Sequence, residues 1–165
     1  MSKRQKKKQQ DRTLLITGIV VAVAVVAVVA LVLSSSGGLP DTECGQLVRA
    51  VNEGGMTTTE SGLQYKVLTQ GDGPTPVETS NVTVNYRGCL TNGTEFDSSY
   101  SRGQPSTFVL NGVIDGWTEG VQLMPAGSSY LFYIPSELGY GAAGSGSRIP
   151  PNAPLIFEIT LLGFQ

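Results

Sequence analysis

"VTVNYRGCLTNGTEFDSS", residues 82–99, carries two strand patterns joined by a turn. Successive side chains of a strand point to opposite faces, so Val82, Val84, Tyr86 and Leu90 share one face and Cys89 lies on the other. Asn92-Gly93 follows, a pair that tolerates the positive φ of a tight hairpin turn. "TEFDSS", residues 94–99, then resumes the ladder. The stretch reads as an antiparallel hairpin. It also sets Phe96 directly before Asp97, an apolar ring beside a carboxylate in polar, turn-rich surroundings.

Working outward, "LQYKVLTQ" (63–70) is strand-like and ends in the turn "GDGPTP" (71–76). "STFVL" (106–110), "SSYLFYIP" (128–135) and "LIFEITLLGF" (155–164) are further strands. In the last, Leu155, Phe157, Ile159 and Leu161 alternate with Glu158 and Thr160. "GVIDGWTEGVQLM" (112–124) has another period: Ile114, Trp117 and Val121 recur on one face of a short helix, which Pro125 stops. Between the last two strands lies "SELGYGAAGSGSRIPPNAP" (136–154), dense in Gly and Pro. A loop this long in a compact domain is usually functional or disordered. The sum is an α+β domain over residues 60–165, with a five- to six-stranded antiparallel sheet and one short helix. That helix is the only cover the pattern offers for the sheet's apolar face.

The first twelve residues, MSKRQKKKQQDR, hold six of the eleven basic residues and one acid, a charge of +5 that leaves −7 for the rest. "LLITGIVVAVAVVAVVALVL" (14–33) then runs 20 residues without a charge or a proline. At about 1.5 Å per residue that spans a bilayer core of roughly 30 Å. It is longer than a signal-peptide core, no good cleavage site follows, and a helix apolar on every face does not suit a small soluble domain. The expectation is a basic cytoplasmic tail at 1–13, a single transmembrane helix at 14–33 and the C-terminal domain on the far side. Residues 34–59 read as a linker, with a short helix in "DTECGQLVRAVNEGG" (41–55) starting at Asp41 and ended by Gly54 and Gly55. In an oxidising compartment Cys44 and Cys89 would bridge linker to domain; the alternative is two unpaired thiols.

Composition excludes much chemistry. There is no histidine, which removes the commonest general base, Ser–His and Cys–His nucleophiles and His-based zinc sites. Two cysteines do not make a Cys-rich metal site. The Gly-rich loop lacks the Lys-Ser/Thr ending of a phosphate loop, and no serine sits in a nucleophile elbow. An acidic body argues against a nucleic-acid partner. Glu95, Asp97 and Glu119 are the carboxylates for paired acid–base work, but Glu95 and Glu119 read as solvated charges. The aromatics say more. Tyr86, Phe96, Phe108, Trp117, Tyr140 and Phe157 come from six different segments. They read either as core or as the walls of a pocket; Phe96 in a polar turn and Tyr140 in a Gly-rich loop are unusual core positions.

"VTVNYRGCLTNGTEFDSS", "VIDGWTEGVQLMPAG" and "ELGYGAAGSGSRIPPNAPLIFEITLLGF" resemble the FKBP-type peptidyl-prolyl cis-trans isomerases, with the nearest likeness to the bacterial macrophage-infectivity-potentiator branch, which also shares the "SGLQYKVL" opening. The resemblance implies an FKBP-like sheet wrapped around a short helix, and a shallow apolar pocket that holds a proline ring. Trp117 would form the floor and Tyr86, Phe96, Phe108 and Phe157 the walls. Val113 and Ile114 would line the rim, with the Ile114 N–H offered to substrate. Tyr140 would give its hydroxyl to a substrate carbonyl, Ile149 would close one side, and Asp97 would accept a hydrogen bond from Tyr86, with Arg102 nearby. The implied catalytic residues are thus Asp97, Tyr140 and Tyr86, and no cofactor or metal is implied. Proline-containing folding proteins would be the substrates, macrolides would bind the pocket, and the domain would face the periplasm from an anchor in a bacterial inner membrane. Ser106 and Arg148 depart from the family pattern, which has an aromatic and an apolar residue there. They leave a second reading open: a module that binds proline peptides without turnover, as a chaperone or assembly factor.

Overall fold

The computed structural model describes residues 39–165. The expected basic tail and the 14–33 span lie outside the described residues; among the described residues no helix is long and apolar enough to cross a membrane. The compact unit runs Leu39–Gln165 and so begins well before residue 60.

Its strands are β1 (Thr57–Thr58), β2 (Gln64–Thr69), β3 (Asn81–Leu90), β4 (Glu95–Ser98), β5 (Ser106–Val109), β6 (Ser129–Ile134) and β7 (Leu155–Phe164). Its helices are α1 (Glu43–Asn52), α2 (Ser99–Arg102) and α3 (Asp115–Gln122). One antiparallel sheet has the order β1-β2-β6-β7-β3-β4, with β5 also paired to β3. Seven strands replace the expected five or six. The difference lies partly in β1, two residues that pair Thr57 with Tyr65 and are too short to leave a period in the sequence.

β3 is the centre. β7 takes one of its edges from Val82↔Phe164 to Leu90↔Leu155. The other edge is shared: β5 pairs with its first half and β4 with its second. Between them the chain leaves the sheet through α2. The Tyr86 N–H at this gap, buried and reached by neither strand, donates instead to the Ser99 Oγ at 2.8 Å. The hairpin turn forms as read: Leu90 N–H donates to the Thr94 carbonyl at 2.8 Å, with Gly93 at φ +84°.

The inner face packs Val82, Val84, Tyr86, Phe132, Ile134, Phe157, Ile159 and Leu161 around Trp117, Val121 and Met124. α3 approaches closely because it faces β6 with glycines. A Cβ on Gly116 would lie 2.5 Å from Ile134 Cγ2, and one on Gly120 2.7 Å from Phe132 Cε1. The outer face is also covered, so α3 is not the only lid. α1 lays Cys44 and Val48 on Cys89, Leu131 and Ile156, with Leu47, Val51, Met56 and Tyr133 packed around them. Cys44 and Cys89 form a disulfide with a Cα–Cα distance of 5.6 Å, which decides between bridge and free thiols. The N-cap of α1 is Thr42, whose Oγ1 accepts from the Gly45 N–H at 3.1 Å; Asp41 instead pairs with Arg49 at 3.7 Å. What reads as linker is thus the second cover of the sheet.

Candidate active site

A cavity of about 380 Å³ opens between the inner face of the sheet and the N-terminal end of α3. Tyr86, Phe96, Asp97, Phe108, Gly112, Val113, Ile114, Trp117, Tyr140 and Phe157 line it. Its size and aromatic lining suit a small apolar group held by a few polar contacts.

Trp117 sits at the base, 4% exposed. Tyr86, Phe108 and Phe157 meet its indole edge-to-face at centroid distances of 5.2, 5.6 and 5.3 Å, with interplanar angles of 84–86°. Phe96 meets Phe157 the same way at 5.4 Å. Such pairs match positive ring edges to negative faces and contribute about 0.5–1.5 kcal/mol each beyond burial. The rings are therefore held in place by one another. Gly88 permits this. A Cβ there would lie 2.7 Å from both Phe96 Cζ and Phe157 Cε1.

The α3 end is anchored as firmly. The Ile114 carbonyl accepts from the Trp117 N–H at 2.9 Å and the Thr118 N–H at 3.1 Å. Thr118 Oγ1 donates to the Leu110 carbonyl at 2.7 Å, tying the 3-10 turn Leu110–Gly112 to the helix. Val113 and Ile114 are thereby held at the rim. The long loop is ordered by its own backbone. Ser145 and Ile149 exchange hydrogen bonds at 2.9 and 3.1 Å, and the Asn152 N–H donates to the Gly141 carbonyl at 2.9 Å. This frame presents Tyr140, 39% exposed, to the cavity.

Asp97 lies in a polar knot on one wall. The Tyr86 hydroxyl donates to Asp97 Oδ2 at 2.5 Å. Arg102 Nη1 donates to Asp97 Oδ1, while its Nη2 donates to the Tyr86 hydroxyl at 2.8 Å and to Ser106 Oγ at 3.0 Å. Burial lifts the Tyr86 phenol above its ordinary value, and the neighbouring Asp97 carboxylate adds to the effect while Arg102 opposes it. Hydrogen bonds with Tyr86 and Asp97 hold the Arg102 guanidinium above its ordinary value. All the oxygens of this knot face donors, so Asp97 has a structural task before any substrate enters.

Nine of the ten residues expected at the site line this one cavity. Ile149 does not. It is 6% exposed and packs in the same apolar cluster as Phe96, Trp117 and Phe157, next to the lining. Gly112 joins the lining; with no side chain it carries no signal in the sequence. Ser106 and Arg148 also have definite partners. Ser106 accepts from Arg102, and Arg148 Nη1 donates to the Phe96 carbonyl at 3.0 Å.

A wrapped antiparallel sheet, one short helix and an aromatic cavity between them define the class, and the comparisons agree. The family described as FKBP-type peptidyl-prolyl cis-trans isomerase matches residues 73–162, and the chain belongs to that family. It is 57% identical over 111 residues to the FKBP-type peptidyl-prolyl cis-trans isomerase FkpA of Aeromonas hydrophila, covering 67% of this chain and 41% of that protein. It is 50% identical over 114 residues to the peptidyl-prolyl cis-trans isomerase Mip of Coxiella burnetii, covering 69% of this chain and 50% of that one. Among solved structures, FkpA from Escherichia coli superposes with a TM-score of 0.67 at 32% identity, covering 100% of this chain and 74% of that one. The match thus spans half or less of these two curated relatives' length.

Proposed function

We propose that the protein is a peptidyl-prolyl cis-trans isomerase acting on X–Pro bonds of proteins that fold outside the cytoplasm. The observation that carries the reading is the preformed cavity over Trp117, walled by Tyr86, Phe96, Phe108 and Phe157 and closed on one side by Asp97.

The X–Pro bond resists rotation by about 18–20 kcal/mol because amide resonance must break. The planar amide is strongly dipolar; the twisted transition state is less so, and its nitrogen regains a lone pair. An aromatic cavity disfavours the planar form more than the twisted one, which is differential stabilisation of the transition state. Each ~1.4 kcal/mol of it gives about tenfold in rate. In this reading the proline ring sits on Trp117, the Ile114 N–H holds one substrate carbonyl and the Tyr140 hydroxyl holds the carbonyl of the residue before proline. Tyr86, locked to Asp97 and Arg102, keeps one wall rigid. No covalent bond breaks, so no proton need move and Asp97 serves as an acceptor that shapes the cavity. Residues 14–33 anchor the chain in a membrane with the basic tail on the cytoplasmic side, and the domain faces a bacterial periplasm. The Cys44–Cys89 bridge supports an oxidising compartment.

The test is X–Pro isomerisation of a short peptide by the compact unit Leu39–Gln165, with and without a macrolide such as rapamycin. Macrolide-sensitive acceleration is expected. A folded fragment that binds the macrolide without accelerating the exchange would make the domain a binding module instead.

A further inference from the structure

The body of the protein has five cations among its described residues: Arg49, Lys66, Arg87, Arg102 and Arg148. Arg49, Arg87 and Arg102 pair with carboxylates. Arg148 pairs with none among the described residues, and it is exposed. It is also, without a counter-charge, bonded to the backbone of a residue that lines the cavity. Its Nη1 donates to the carbonyl of Phe96, whose ring is one wall and whose next residue, Asp97, is another.

Two features fix the guanidinium there. β4 pairs only with β3, so its other edge would stand open; Arg148 occupies that edge through the Phe96 carbonyl. On the loop side the Ser145–Ile149 bridge and the buried Ile149 side chain hold the backbone next to Arg148. One of five guanidinium donors is used by the Phe96 carbonyl, which leaves the charge and most of the fork to solvent beside the backbone of a wall residue. The other charges nearby differ in kind. Arg102 and Asp97 neutralise each other, and Asp115 stands on the first turn of α3, next to the rim residue Ile114.

We propose that Arg148 is a specificity-determining residue that favours an acidic side chain immediately before proline. The inference rests on the isomerase reading given above. With that residue's carbonyl on Tyr140, its side chain leaves the cavity along the loop that carries both Tyr140 and Arg148. A carboxylate there meets an unpaired guanidinium; an ammonium meets a like charge. Solvent-exposed charges a few ångströms apart interact by about 1 kcal/mol at low salt, and salt screens them.

The experiment uses the full chain in neutral detergent micelles and peptides that differ only in X, with Glu, Gln and Lys before proline. The expected order of kcat/KM is Glu above Gln above Lys, each step up to about fivefold at low ionic strength and compressed at about 0.5 M salt, where screening reaches a few ångströms. Arg148→Gln should flatten the order, Arg148→Glu should reverse it, and Arg148→Lys, which keeps the charge, should preserve it. An order unchanged in Arg148→Gln while turnover persists overturns the inference and leaves the isomerase reading intact. Absence of turnover with every peptide overturns the isomerase reading instead. Trp117 is the chain's single tryptophan and lines the cavity, so its fluorescence reports peptide affinity in either case. The same Glu–Gln–Lys order in affinity, lost in Arg148→Gln, would uphold the charge preference for binding alone, and its absence would remove that too.

Discussion

The two faces of the sheet solve opposite problems with the same strand. On the inner face, Tyr86 of β3 helps wall a cavity of about 380 Å³, and rings standing edge-to-face keep it open. On the outer face, Cys89 of the same strand is fully buried under α1 and tied to Cys44. Arg87, also on that side, reaches Glu43 of α1 at 3.8 Å and Glu95 of β4 at 3.7 Å. The outer face thus achieves closure by filling space and adding a covalent tie. The inner face forgoes closure, and the knot of Tyr86, Asp97 and Arg102 supplies rigidity in place of packing. Stability should therefore depend most on the outer face and activity most on the inner one.

The largest effect tests that division directly. Replacing both Cys44 and Cys89 by Ala removes a bridge that closes a loop of 45 residues. The chain-entropy estimate for such a loop is about 4 kcal/mol. Denaturant unfolding should show a loss of that order, and the folded protein should keep its kcat/KM within about twofold. A comparable collapse of activity in the folded variant would mean that the faces are coupled through β3.

Gly88 lies on the inner side of β3, one residue before Cys89 of the outer side. Gly88→Ala drives a Cβ to 2.7 Å from Phe96 and Phe157. Overpacking of this kind costs about 1–3 kcal/mol, and here it must displace cavity walls. A raised KM and weaker macrolide binding should accompany the loss of stability. Gly163→Ala on β7, where an added Cβ meets nothing within 4 Å, is the control and should stay within about 0.5 kcal/mol of wild type. Equal effects of the two substitutions would break the claim that Gly88 is kept for the rings.

How far these features were legible in the sequence follows from their range. The hairpin over residues 82–99, the Trp117 helix and the last strand all declare themselves by local period, and they form as read. The cavity came into view through the family motifs, since its walls derive from segments far apart in the chain. α1 was legible as a helix but not as a cover. What its apolar residues pack against, Leu131 and Ile156, lies over eighty residues on. Ser106 and Arg148 read as departures from an apolar rim, because a hydrogen bond to Arg102 or to the Phe96 carbonyl leaves no periodic trace. Ile149, next in the same loop, is buried in the cluster that holds Phe96 and Trp117, and a Gly- and Pro-rich loop shows no period that would announce it.

Asp97 carries the next test. Asp97→Asn keeps an acceptor for Tyr86 but weakens the tie to Arg102, and kcat/KM should fall about tenfold or less, equivalent to ~1.4 kcal/mol. Asp97→Leu leaves donors of both Tyr86 and Arg102 unsatisfied and should cost more. The rate should be flat between about pH 6 and 9 because no proton moves in the reaction. A rate that falls steeply on acidification, with the fold intact, would make Asp97 a proton acceptor in the reaction and remove its purely architectural role.

The smallest effect concerns alkaline stability, and it again separates the knot from ordinary burial. Burial raises the phenols of both Tyr86 and Tyr130; Asp97 adds to the first and Tyr65 to the second. A raised folded value means that the native state holds the proton more tightly than the unfolded chain does. Their contribution is complete below the unfolded value of about 10 and is lost as pH rises from there toward the raised folded values. Urea midpoints should therefore be level up to about pH 9 and decline beyond 10, with absorbance of the phenolates lagging behind that of the exposed tyrosines. Tyr86→Phe should lessen the decline by the whole share of Tyr86, and Asp97→Asn by a smaller share, since burial is the larger cause. If Tyr86→Phe leaves the slope unchanged, the inner wall is held by ring packing alone, and the rigidity assigned to the Tyr86–Asp97–Arg102 network passes to Trp117 and its neighbours.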